Sequence, residues 1–229
     1  MIAENLKKIQ SGLPPEVKLV AVSKYHPLDD IREAYAAGQR LFGENRPQEL
    51  EKKVKELAEK GECPDIQWNF LGHLQTNKLK QVLPYASLVQ SIDTIHLLQE
   101  VDKWGKKNDK VINVLLELHI GAEETKQGFH EEEILELLFG ASKYANIRFC
   151  GLMGMASHTD DMETVHADFE RIKSFMDYLT DLFPELVDFK ELSIGMSDDY
   201  KIALGFETAI DCGSTMVRIG TAIFGERNY

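Results

Sequence analysis

No apolar run among the 229 residues approaches the ~20 needed to cross a bilayer, and the opening MIAENLKKIQSGLPPE is charged where a secretory signal needs an apolar stretch. A cytoplasmic protein without a membrane partner is expected. Cysteine is scarce: Cys63, Cys150 and Cys212 are odd in number, far apart and never in a CxxC pair, which excludes a disulfide framework and a zinc site. They are expected to be reduced, buried thiols. Basic residues are outnumbered, 26 Lys and Arg against 38 Asp and Glu, for a net charge of −12. The acidic residues are spread along helical stretches such as EEEILELL, which argues against nucleic acid or an anionic membrane as partner. There is no low-complexity linker, composition break or short internal repeat, so residues 1–229 are expected to form one domain. No GxGxxG follows any strand-like run.

What is present is alternation. After a short amphipathic opening helix come eight strand-like runs, at 18–24, 40–45, 66–72, 88–93, 112–120, 148–155, 191–196 and 216–225. Between them lie segments with helical spacing, such as LDDIREAYAAG closed by Gly38, RPQELEKKVKELAEKG closed by Gly61, and METVHADFERIKSFMDYLTDLF. Near-continuous apolar strands separated by helices imply parallel pairing with both faces covered. Eight such units in a chain of this size predict an α/β fold of the (β/α)8 TIM-type barrel, with an extra N-terminal helix. An open doubly wound sheet shows similar alternation, but the missing GxGxxG weakens it.

The first strand, KLVAVSK, ends on a lysine. Strand periodicity puts Val20, Val22 and Lys24 on one face and Leu19, Ala21 and Ser23 on the other. Ala21 and Ser23 are small enough to lie under helices, so Lys24 is expected to point inward at the C-terminal mouth, where barrel active sites are built. A partly desolvated lysine near other cations has a depressed pKa and becomes a nucleophilic amine suited to Schiff-base chemistry. Other strand ends bring Glu44, Asn45, His73, Gln75, Asn77, Met153, Met155 and Ser157 to the same face. Each also has an ordinary reading as helix cap, satisfied histidine or core filler.

The last two units are more specific. LSIGMSDDY passes from strand through a glycine turn to Ser197, a candidate N-cap ahead of Asp198 and Asp199, and VRIGTAIFG brings Gly220 and Thr221 to the end of the eighth strand. The loops after strands seven and eight are the usual phosphate cradle of this fold. Ordinary tight turns would use the same glycines. Arg218 shares a strand face with Gly220 and is expected beneath it, where a buried guanidinium needs a carboxylate or a ligand atom as partner. Lysine, phosphate cradle and buried arginine together describe a site for an aldehyde bearing a phosphate, and pyridoxal 5′-phosphate (PLP) fits all three.

The blocks AVSKYHP, FGENRPQEL, WNFLGHLQTNK, ETKQGF, GLMGMAS, LSIGMSDDY and GSTMVRIGTAIFG, in this order from residue 18 to 225, resemble the pyridoxal phosphate homeostasis protein family, which is similar to the N-terminal barrel of alanine racemase. The resemblance implies a barrel of PLP fold type III with PLP held as a Schiff base on Lys24. It further implies Arg218 facing the pyridine nitrogen, Ser197, Gly220 and Thr221 holding the phosphate, and Asn45, His73 and Met153 around the cofactor. One position departs from the family pattern: His119 stands where asparagine is more frequent.

Three functions compete. The first is a PLP carrier in vitamin B6 homeostasis, without efficient amino-acid turnover, with PLP-requiring apoenzymes as candidate recipients and no metal. The chain ends just after the eighth strand, leaving no room for the second domain of alanine racemase, which favours this reading and a monomer. The second is a small PLP-dependent racemase or decarboxylase using Lys24. The third is a PLP-free Schiff-base lyase acting on a phosphorylated sugar.

Overall fold

A computed structural model describes residues 1–120, 127–197, 199, 201 and 212–226. Eight parallel strands close into a barrel in sequence order: β1 (Lys18–Val22), β2 (Leu41–Glu44), β3 (Gln67–Phe70), β4 (Ala86–Ile92), β5 (Ile112–Glu117), β6 (Ile147–Met153), β7 (Glu191–Ser193) and β8 (Met216–Ile219). β8 pairs with β1, setting Val20 opposite Arg218, and this closes the ring. The helices that alternate with the strands are α2 (Leu28–Ala36), α3 (Pro47–Glu59), α4 (Leu79–Val82), α5 (Ile95–Asn108), α6 (Glu131–Phe139), α7 (Met162–Leu182) and α8 (Thr221–Phe224), with α1 (Ile2–Ser11) ahead of them. Among the described residues no helix is long and apolar enough to cross a membrane.

Helical spacing and end chemistry account for these segments. α1 buries Ile2, Leu6 and Ile9 on one face, and α7 buries Val165, Phe169, Ile172, Met176 and Leu179. α3 starts with Pro47, whose missing N–H costs nothing in a first turn, and α5 starts at Thr94, whose hydroxyl accepts the Leu97 N–H at 3.2 Å. The apolar core lies between the barrel wall and these helices and includes Leu19 and Ala21 of β1.

The strands stop earlier than their apolar runs. β1 ends at Val22 because Tyr25 takes φ +67° and the His26 N–H turns back to the Ser23 carbonyl at 3.0 Å. β8 ends at Ile219, not at residue 225: Gly220 leaves the extended conformation, and Thr221–Phe224 make a helical turn whose Ile223 and Phe224 are buried. Its apolar composition reflects burial against α1, where Asn5 Nδ2 donates to the Ile223 carbonyl at 2.9 Å. Of the cysteines only Cys212 is buried; Cys63 and Cys150 are half-buried, and all three are free thiols.

Candidate functional site

A cavity of about 260 Å³ opens at the C-terminal end of the barrel. Its lining brings together Lys24, Asn45, Met153, Ser197, Arg218, Gly220 and Thr221, seven of the eight residues that the resemblance placed around the cofactor, while Glu44, Gln75, Asn77 and Ser157 lie outside it. Lys24, half-buried, follows β1, and Asn45 follows β2; Met153 closes β6 and Ser197 follows β7. Arg218 lies within β8 and Gly220 and Thr221 at its end, so residues far apart in sequence meet because the strands run parallel around a ring. Val22, Leu71, Met155 and Met196 add an apolar wall.

Three observations test whether this lining suits an anionic, planar aldehyde. The Asn45 Oδ1 is buried without a hydrogen-bond partner, a costly state unless a ligand supplies a donor. The Thr221 and Ala222 N–H groups at the start of α8 have no backbone acceptor among the described residues, and the Gly220 N–H reaches only Ser197 Oγ, at 3.3 Å. A Cβ on Gly220 would lie 3.1 Å from the Val22 carbonyl, so a side chain here would crowd the close approach of β1 and β8. Amide donors, two hydroxyls and a close backbone form a fitting cradle for a phosphate beside an amine.

Arg218 forms the floor. Nη1 donates to the Ser193 carbonyl and to Ser193 Oγ, both at 2.7 Å, and Nη2 donates to the Gly154 carbonyl at 2.9 Å. Ser193 Oγ in turn donates to Gln90 Oε1 at 2.6 Å, and Gln90 Nε2 to Asn69 Oδ1 at 2.8 Å. A chain of hydrogen bonds therefore crosses the barrel interior from β8 through β7 and β4 to β3. No carboxylate forms an ion pair with Arg218 among the described residues, and burial pushes its pKa down to about 10. Of its five N–H donors, one on Nη2 and the one on Nε have no hydrogen-bond acceptor among the described residues.

His73 is at the expected strand end but does not line the cavity. Its Nδ1 pairs with Asp93 Oδ2 at 3.0 Å, and the ring is about half exposed. Behind this pair Glu117 is buried, and desolvation, followed by repulsion from Asp93, pushes its carboxyl up to about 7. His119 also lies off the cavity; its Nδ1 is buried without a partner, and its ring meets His130 edge-on at 5.8 Å between centroids. Lys126 and the first half of the ETKQGF block, with Asp198 and Tyr200, lie outside the described residues.

Sequence reasoning missed two polar groups. Asn69, Gln90 and Ser193 were hidden in QWNF, LVQSI and ELS; the available signal was a polar residue on the inward register of an apolar strand. Lys53 was hidden on α3, where its position three residues from Leu50 and four from Leu57 places it on the buried face. It is buried, as is Glu44, whose carboxyl desolvation pushes up to about 7 against the attraction of Lys53.

Comparison with known proteins agrees with the geometry. The family described as "Alanine racemase, N-terminal domain" matches residues 1–228. A Pasteurella multocida protein named pyridoxal phosphate homeostasis protein is 37% identical over 238 residues, covering 100% of this chain and 98% of its own length. The structure of PipY from Synechococcus elongatus without PLP superimposes with a TM-score of 0.90 at 35% identity, covering 98% of this chain and 100% of that one. The structure of PipY with PLP bound gives a TM-score of 0.88 at 34% identity with the same coverage. Alanine racemase from Clostridium difficile, 16% identical with a TM-score of 0.75, shares the fold; all of this chain covers 56% of it. The chain belongs to the alanine racemase N-terminal domain family and, within it, to the pyridoxal phosphate homeostasis proteins.

Proposed function

We propose that this chain, as one barrel domain over residues 1–229, binds PLP covalently at Lys24 and serves as a carrier in intracellular PLP homeostasis rather than as an amino-acid-converting enzyme. The observation that carries the reading is the juxtaposition, in one cavity, of the Lys24 amine, the Ser197–Gly220–Thr221 cradle and the Arg218 guanidinium. Bound there, PLP supplies an aldehyde that condenses reversibly with amines and a ring that withdraws electrons. Lys24 provides the amine, and Ser197, Gly220 and Thr221 hold the phosphate. Asn45 and Met153 flank the ring, and Arg218 donates to its nitrogen. A guanidinium at that atom disfavours ring protonation, where a carboxylate would favour it, so electron withdrawal is weak.

Racemisation needs two proton-transfer groups flanking one carbon. Lys24 serves one face. For the other, His73 is engaged with Asp93 off the cavity, and the Tyr25 ring lies under Arg46, 4.6 Å from its guanidinium carbon. The acidic surface and scattered thiols fit a cytoplasmic monomer that meets PLP-requiring apoenzymes, and neither a membrane nor nucleic acid.

Absorption spectroscopy with and without borohydride, followed by peptide mapping, tests the attachment: the pyridoxyl group is expected on Lys24, and fixation mainly on Lys78 refutes the assignment. Incubation with both enantiomers of alanine, serine and the basic amino acids is expected to give no turnover at an ordinary enzymatic rate, about 1 s⁻¹ or faster. Such turnover, lost in Lys24→Ala, would install an enzyme in place of the carrier.

A further inference from the structure

The peptide groups on both sides of Lys24 are gripped by one buried ion cluster. On the N-terminal side, the Ser23 carbonyl accepts from Lys53 Nζ at 2.8 Å; on the C-terminal side, the Tyr25 N–H donates to Glu49 Oε1 at 2.7 Å. The same ammonium donates to Glu44 Oε1 and to Glu49 Oε1, each at 2.7 Å, so its three hydrogens are all engaged. Ser23 Oγ completes the cluster by donating to Glu44 Oε1 at 2.6 Å. The Lys53 side chain is 7% exposed, that of Glu44 0% and that of Glu49 20%, so bulk water screens the cluster little.

Such an arrangement is poorly explained as a device for stability. One carboxylate and one ammonium have left water, a second carboxylate is mostly covered, and Glu44 Oε2 has no hydrogen-bond partner; an apolar trio of similar volume would hold the helix to the barrel at least as well. The contacts instead converge on the backbone around a single residue. That backbone is unusual, because Tyr25 adopts φ +67°, which persists for a bulky side chain only where neighbouring groups over-determine it.

We propose that Glu44, Lys53 and Glu49 form a positioning device that fixes the main chain on either side of Lys24 and so presents its amine to the cofactor aldehyde. The inference rests on the reading that Lys24 carries PLP. It assigns to α3 a role in covalent capture as distinct from phosphate or ring binding, since none of the three residues lines the cavity.

Two ligands separate these roles: PLP, and its alcohol analogue pyridoxine 5′-phosphate, which has the ring and phosphate but no aldehyde to condense. In the full chain, Glu49→Ala and Lys53→Met are expected to weaken PLP binding about tenfold or more while changing pyridoxine 5′-phosphate binding by less than about twofold, as for a displaced reacting group. Glu49→Gln keeps an acceptor for the Tyr25 N–H and is expected to restore PLP binding to within about threefold of the parent. Equal losses for both ligands, or unchanged PLP binding in Glu49→Ala, would overturn the proposal. Should Lys53→Met not fold, the more exposed Glu49→Ala decides; a Glu49→Ala protein that does not fold also overturns it, by making the cluster a support of the barrel. Lys24→Ala distinguishes the underlying reading. If it binds PLP as tightly as the parent, Lys24 is not the attachment point; if it loses the preference for the aldehyde, that reading stands and the clamp is judged on its own variants.

Discussion

Replacing Arg218 by methionine is expected to leave the barrel about as stable as before, and the reason lies in what each of its partners keeps. The Ser193 carbonyl still accepts from the Gly154 N–H at 3.1 Å, and Ser193 Oγ still donates to Gln90 at 2.6 Å. Only the Gly154 carbonyl loses a partner, at a cost of about 1–3 kcal/mol. Against this stands relief of a buried charge. The guanidinium pKa falls from 12.5 to about 10, so below pH 10 the charged side chain costs the folded state about 3 kcal/mol. Methionine fills much of the same volume with apolar atoms. The two contributions cancel to within about 2 kcal/mol, as expected if Arg218 serves the ligand rather than the fold. Urea denaturation of cofactor-free protein at pH 7 measures the first half of the claim through the midpoint at constant m-value. Absorption of the PLP-loaded variant measures the second, and a shifted band is expected. A loss of more than about 4 kcal/mol with an unaltered spectrum would show that Arg218 is a structural member without contact to the ring.

Ser197→Ala and Thr221→Ala are each expected to weaken PLP retention by about 1.5–3 kcal/mol, as for a donor lost to an anion, without altering the thermal unfolding of the cofactor-free protein; unchanged affinity in the double variant places the phosphate elsewhere. Glu117, with its carboxyl raised from 4.5 to about 7 by burial and then by Asp93, carries a burial cost that is absent below pH 4.5 and complete above pH 7, so it draws stability down between those values by about 3 kcal/mol. Unfolding of Glu117→Gln beside the parent should show a gap that opens over this window; a constant gap refutes the assignment. Gly151→Ala should prevent closure of the barrel, because φ is +143° and the new Cβ would stand 1.9 Å from the Glu191 carbonyl of β7, whereas Gly38→Ala, at φ +99°, meets no atom within 4 Å and should cost only about 1–3 kcal/mol of backbone strain. Circular dichroism of the two variants distinguishes these outcomes.

All eight strands were legible because a parallel strand covered on both faces reads as an apolar run, and burial is a property of composition. Their ends were not. TAIF looks like more strand because α8 buries Ile223 and Phe224 as thoroughly as β8 buries Val217 and Ile219. The cavity was legible as far as strand periodicity carries: it placed Lys24, Arg218 and Gly220 together from their own strands. It could not tell that Asp93, from the next strand, holds His73, because that depends on side chains of neighbouring loops. Lys53 was illegible for a related reason. Its position on the buried face of α3 could be read, and Glu49 stands four residues before it, but the fully buried charge that completes its pairing comes from Glu44, on a different element.

Pairing of β1 with β8 has a consequence for the order of assembly. In the proposed site the Lys24 amine follows β1, whereas Gly220 and Thr221 of the anion cradle follow β8, so cofactor capture would report on a ring that has closed at this seam. A ligand bound in that site would bridge the seam and add RT ln(1 + [L]/Kd) to the stability of the protein. Amide exchange along Lys18–Val22 and Met216–Ile219 should then slow on loading more than along β4 or β5, on the far side of the ring, as for a latch thrown across the β1–β8 joint.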